Sequence, residues 1–181
     1  MKVFLSYAAS LVGLGLVAFA LMGAYTSNLS YPAARLRLIT MLRQNVNQAE
    51  MMCKAAKGTF YECIASAIKI AATVPTTDIN IIRMTTAPGY DAAVTSVKMH
   101  WKKLMGHGKK GAVAVIGGLV IAIVAKTNPA FHIIAMVLVA GAAVWFLITK
   151  AENEGALIRA KAELLPELDR ALAEGRYYRA G

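Results

Sequence analysis

The chain has 181 residues, of which 57% are hydrophobic and only 17% charged, and it carries a formal charge of +10. Soluble domains carry roughly 25% charged residues, so this composition leaves too few charges to coat a water-soluble globule of this length. The apolar residues are gathered into blocks rather than spread at a core-forming period, which points to lipid as their solvent.

The first block runs from Val3 to Tyr25 without a charge, long enough for a spanning helix, which needs about 20 apolar residues. Lys2 and the small-x-small run Ala18-Phe19-Ala20 have the look of a cleavable signal, but the charges that follow argue otherwise. Residues 26–110 hold twelve basic side chains against four acids, Glu50, Glu62, Asp78 and Asp91. Segments close to a membrane entry that are translocated avoid such clusters. The expectation is therefore an uncleaved helix over 1–25 with its N-terminus outside, followed by a basic cytoplasmic domain over 26–110.

That domain reads as helical. Pro32 suits a first-turn position after Ser30, and Ala33 to Lys57 has helix-forming composition with Gly58 as its stop. Thr59-Phe60-Tyr61-Glu62 is a capping-box pattern that opens a second helix ending at Pro75. Asp78 caps a short piece, Ile79 to Thr85; Pro88-Gly89 makes a turn; and a further helix runs from Asp91 through Trp101. Cys53 and Cys63 have no zinc-type spacing and read as free, buried thiols. Lys102, Lys103, Lys109 and Lys110 bracket Gly106-His107-Gly108, expected as a flexible stretch at the headgroup level. These lysines would contact anionic membrane lipid at about 1 kcal/mol each. Nucleic acid is the rival partner for this charge, but no recognition motif supports it, and no nucleic-acid partner is expected.

The second block, Gly111 to Ala125, is about 22 Å of helix. It reaches across a bilayer by recruiting Leu104 to Gly108 or by letting Lys109, Lys110 and Lys126 snorkel; otherwise it is one arm of a re-entrant hairpin. Lys126 to Pro129 forms a short outer turn, and the third block, Ala130 to Thr149, returns. From Lys150 the third helix continues into water as a cytoplasmic tail over 150–181. Leu157, Leu164, Leu168 and Leu172 give the tail an apolar stripe, Arg159/Glu163 and Arg170/Glu174 are i,i+4 pairs, Pro166 is a kink point, and Gly175 is the stop. The fold class is thus an all-α, multi-pass integral membrane protein: three transmembrane helices (1–25, 111–125 and 130–149), a helical cytoplasmic loop and a C-terminal cytoplasmic helix.

None of the three blocks contains Asp, Glu, Lys or Arg. Ser6, Tyr7 and Ser10 lie in the first. His132, near one end of the third, is either an interfacial anchor or part of a proton path. Ala9/Gly13, Ala114/Gly118/Ala122 and Gly141 are small residues of the kind that let helices in lipid approach closely, so they are expected at packing faces within or between copies. There is no nucleophile with a base, no phosphate loop, no metal set and no cofactor motif. An enzyme is not expected.

This layout, together with Asn45-Val46-Asn47-Gln48-Ala49-Glu50 and Gly58-Thr59-Phe60-Tyr61-Glu62, resembles the MotA/TolQ/ExbB proton-channel family. The resemblance implies a bacterial inner-membrane subunit that forms a homo-oligomeric ring around a single-span partner. That partner would bring an intramembrane Asp, and the complex would energise transport or motility. It marks Thr127 and Thr149 as pore-hydroxyl candidates, beside His132, which is a proton-path candidate on its own chemistry. The chain departs from the family in having Gly117-Gly118 alone and no hydroxyl inside the second span. A non-conducting membrane scaffold whose cytoplasmic helices dock a partner is the alternative reading.

Overall fold

The computed structural model describes residues 2–74 and 76–176, and among these it contains helices and no strand. The helices are α1 (Lys2–Thr26), α2 (Tyr31–Gln44), α3 (Val46–Lys54), α4 (Phe60–Ala71), α5 (Ile79–Val124), α6 (Ala130–Glu163) and α7 (Leu165–Ala173). The chain divides into two compact units. The first comprises 1–26 and 101–150, the second 27–100 and 151–181, so α5 and α6 each contribute to both.

In the first unit, three helices are long and apolar enough to cross a membrane. The buried residues of α1 are Ser6, Ser10, Gly13, Val17, Ala20 and Ala24, spaced alternately four and three apart as on a helix-packing seam. They meet the buried face of α5, formed by Leu104, Gly111, Val115, Gly118 and Ala122. The contact is closest where two glycines face each other. A Cβ added to Gly13 would lie 2.6 Å from the Gly111 carbonyl oxygen, and one on Gly111 would lie 2.5 Å from the Gly13 carbonyl oxygen. Outside this seam the unit exposes large apolar side chains, among them Phe4, Met22, Val113, Val137 and Leu147, as a surface solvated by lipid does.

Helix α5 corrects one expectation in this unit. Gly106-His107-Gly108 is continuous helix and not a flexible stretch. Isolated glycines cost a helix only about 1 kcal/mol each, and the lysines around them are good helix formers. The turn after α5 is tight. Lys126 takes a positive φ of 52°, and both the amide and hydroxyl of Thr127 donate to the Ala122 carbonyl at 3.0 and 3.1 Å. The Asn128 side chain then accepts the Ala130 amide at 3.0 Å, opening α6.

In the second unit the single helix expected over Ala33–Lys57 is two. Asn45 breaks it with φ −159° and ψ 112°, and its side chain caps α3 by accepting the Asn47 and Gln48 amides. Asparagine competes for backbone groups in this way because its side chain is short and polar. Thr59 and Glu62 do cap α4, one position displaced from the usual box. The Thr59 hydroxyl accepts the Tyr61 amide at 3.2 Å, and Glu62 accepts the Gly58 amide at 2.8 Å. Asp78 caps the helix that follows, accepting the Asn80 amide at 2.8 Å.

That helix is α5, and it runs through Pro88-Gly89, where a turn was expected. An interior proline costs about 3 kcal/mol, which packing beside it offsets. A Cβ on Gly89 would come within 2.8 Å of Ile70 Cδ1 and 3.3 Å of Ala67 Cα, so α4 and α5 are in close contact there. Fully buried Tyr90 donates its hydroxyl to the Leu157 carbonyl at 2.7 Å. Gly89 serves close approach, not a turn. At the other end, α6 stops at Glu163 and Pro166 sits in the first turn of α7. The anticipated kink is a break, and Gly175 (φ 72°) terminates the run.

Leu38, Leu42, Val46, Phe60, Ile64, Ile68, Leu164 and Leu168 form the fully buried core of this unit. Several of its ion pairs tie separate helices, among them Arg35–Glu163 at 2.5 Å, Arg43–Glu167 at 3.2 Å and Lys161–Asp91 at 2.6 Å. The i,i+4 pairs expected in the tail are replaced. Glu163 goes to Arg35, Arg170 to Glu167 at 3.9 Å, and Glu174 to Arg176.

Candidate functional site

Two features of the first unit carry chemistry. The first joins α1 to α6. His132 is fully buried, and its Nδ1 lies 2.8 Å from the Ser10 hydroxyl. Ser6 and Ser10 are equally buried, and Ser6 donates to the Val3 carbonyl at 2.8 Å. The Tyr7 and Phe131 rings flank the imidazole, with centroids 5.0 and 5.5 Å away. Gly118 of α5 closes the cluster: a Cβ there would overlap Ser10 Oγ and come within 2.8 Å of the Ser6 carbonyl. His132 Nε2 is buried without a hydrogen-bond partner. In one tautomer it is an unpaired donor, in the other an unpaired acceptor. Leaving such a group unsatisfied costs about 1–3 kcal/mol. Nothing in the packing of an apolar bundle requires an imidazole here.

The other pore candidates are different. Thr127 donates to Ala122, and Thr149, which is 2% exposed, donates to the Trp145 carbonyl at 3.0 Å. Both hydroxyls are spent on their own chain. The structure brings neither to His132. Ser6 and Ser10 are the residues that sequence reasoning passed over as site candidates. The signal was present, since hydroxyls four apart in register with Gly13 put both on one buried face.

Among the packing candidates, Gly13, Gly118 and Ala122 are buried in the unit, Ala9 and Ala114 are half-buried, and Gly141 is exposed with nothing near its Cβ position.

The second feature is the outward face of α5. Lys102, Lys103, Lys109 and Lys110 are all exposed. Their depth comes from their neighbours. Gly111 packs against Gly13, Leu16 and Val17, near the middle of α1. An apolar cleft of about 210 Å³ is lined together by Val17 of α1, Lys109 of α5 and Val139 of α6. Val139 is central in the Ala130–Thr149 block. Lys109 and Lys110 thus lie level with the middle of the two neighbouring apolar helices. On insertion scales a lysine at the centre of a spanning helix costs about 2.5–3.5 kcal/mol.

The thiols offer no chemistry. Cys53 and Cys63 are free and buried. Burial, then the Glu50 charge, pushes Cys53 well above the ordinary thiol range. Burial, then Glu62 and Asp91, pushes Cys63 up to about 12.

Fold and composition together define a multi-pass helical membrane protein. Comparison with known proteins finds no matching family model, no matching curated protein and no matching solved structure.

Proposed function

We propose that this chain is an oligomeric subunit of a proton-channel-like inner-membrane complex that energises transport or motility with a carboxylate-bearing single-span partner. The observation that carries this reading is the buried Ser10–His132 pair with its unpaired Nε2. An ionisable side chain between spanning helices is retained at a cost and marks an ion or proton path by default. The pair lies toward one end of the unit. Beyond it the seam is sealed by Gly13, Gly111, Val17 and Ala20, so one subunit holds no continuous polar path, and the partner's carboxylate completes it.

Proton flux into liposomes tests this. The chain alone is tight. Together with a single-span partner carrying a mid-span aspartate it conducts, and His132→Phe abolishes conduction while the complex still assembles. A leak from the chain alone, or full conduction by the His132→Phe complex, overturns the reading. The scaffold alternative is favoured by the self-satisfied hydroxyls of Thr127 and Thr149. It predicts binding of a partner through the second unit with no flux under any condition.

A further inference from the structure

The apolar cleft of the first unit differs from the lipid-facing surface around it in shape and in one side chain. Its walls come from all three spanning helices, with Val17 and Leu21 of α1, Met105 and Lys109 of α5, and Val139 and Phe146 of α6 among the lining residues. Among the described residues, Lys109 is the one ionisable group in that lining; the rest is apolar or small. Along α6 the cleft runs from Val139 to Leu147, about 12 Å of helix, in the half of the span nearer Lys150. Its volume is about 210 Å³. An apolar cavity of about 150 Å³ takes a benzene ring, and at about 30 Å³ per water-sized group this cleft takes roughly seven methylenes. That is one short length of alkyl chain and not two.

We infer that this cleft binds a single-chain carboxylate amphiphile, a fatty acid, with its alkyl chain between the three helices and its carboxylate on Lys109. Charge selects the head group. Residues 1–26 and 101–150 contain no Asp or Glu, so the unit supplies Lys109 with no counter-ion of its own. An ammonium at this depth is costly, and an incoming carboxylate recovers part of that cost through a charge-assisted hydrogen bond. Depth selects the single chain. Phospholipid phosphate lies at the headgroup level, about 15 Å or more from the middle of a bilayer. Lys102 and Lys103, about 10 Å nearer the end of the span than Lys109, are the lysines placed for it. A fatty acid has no second polar group to hold it at the surface, so its carboxylate can descend to Lys109. Neither conduction nor a protein partner is required.

Photolabelling tests this. The full chain in phosphatidylcholine nanodiscs is exposed to decanoate carrying a mid-chain diazirine, at a pH where the carboxylate is ionised, and adducts are mapped by mass spectrometry. They should concentrate at the cleft residues Met105, Phe146 and Leu147 over Val113 and Val120, which α5 also exposes. Unlabelled decanoate should compete roughly tenfold better than decanol or more, the scale of one hydrogen bond to a charged group. Lys109→Gln should remove that preference and Lys109→Arg should keep it. Lys110→Gln, outside the cleft lining, should leave it unchanged. Ala143→Leu fills the cleft from α6 with a side chain that lipid tolerates, and should cut labelling by acid and alcohol probes alike.

Equal competition by decanoate and decanol overturns the inference. So does labelling spread evenly over Val113, Val120 and the cleft, since the cleft would then hold ordinary bilayer lipid. A phosphatidylglycerol carrying the same diazirine chain that labels the cleft in preference to decanoate would assign it to a phospholipid tail, against the single-chain occupant. A cleft that no probe labels is covered by another helix, from a second copy or a partner, and that result also overturns the inference.

Discussion

Gly118 is the residue on which the first unit turns. It sits where three helices converge on Ser6, Ser10 and His132, and its missing side chain is what lets Ser10 reach the imidazole. Gly118→Ala puts a methyl group onto Ser10 Oγ and the Ser6 carbonyl. Overpacking of this kind costs about 1–3 kcal/mol, and here it also disturbs the Ser10–His132 hydrogen bond. Gly117 is the matched control, because its Cβ position is open. Thermal unfolding in detergent should therefore show a lowered midpoint for Gly118→Ala and an unchanged one for Gly117→Ala. Equal midpoints would mean that the α1–α5 seam is looser than its contacts indicate. From sequence, the Ala114/Gly118/Ala122 spacing marks this stripe as small, and nothing more. Which of two adjacent glycines is the contact residue depends on a rotation of 100° about α5, and only the partner helix decides that.

Helices were more legible than their interruptions. Apolar length alone marks α1, the end of α5 and the start of α6, and the local chemistry of Ser30-Tyr31-Pro32, Thr59 and Asp78 marks three starts. Asn45 and Pro88 were read by general propensity, and a local side-chain cap decides the first while tertiary packing decides the second. Asn45 caps rather than continues, and Pro88 is carried by the burial of Gly89 and Tyr90. Charge pairing failed for the same reason, since Glu163 finds Arg35 on a helix more than a hundred residues distant in sequence.

The joint between α5 and α7 gives a pH test. Asp169 is 2% exposed, accepts the Thr86 hydroxyl at 2.7 Å and lies 3.7 Å from Arg83. Burial raises its pKa, with the Thr86 hydrogen bond and Arg83 opposing. The folded state thus holds the proton more tightly than the unfolded chain. Between the ordinary Asp value and the raised one, this group's contribution to stability falls as pH rises. Asp169→Asn keeps an acceptor for Thr86 and removes the titration. The variant should lose less stability than the parent as pH is raised through that window. Identical pH slopes would show that Asp169 is solvated well enough to titrate normally.

At the scale of the molecule, the chain is two units with different surfaces. One turns Phe4, Met22, Val113 and Leu147 outward. The other carries all ten acids and ties its helices with ion pairs. The polar cluster and the α5 lysines belong to the first unit, so the proposed function depends on that unit being in the bilayer.

Cysteine accessibility tests this directly, because both native thiols are buried, Cys53 at 1% and Cys63 at 0% exposure, and stay silent. Single cysteines are introduced at exposed Thr77 in the second unit and exposed Ala130 at the start of α6. They are then treated with a membrane-impermeant thiol reagent. In intact cells Ala130→Cys should label and Thr77→Cys should not, labelling only after permeabilisation. Labelling of Thr77→Cys in intact cells, or protection of Ala130→Cys there, would contradict the arrangement of three crossings with the second unit inside.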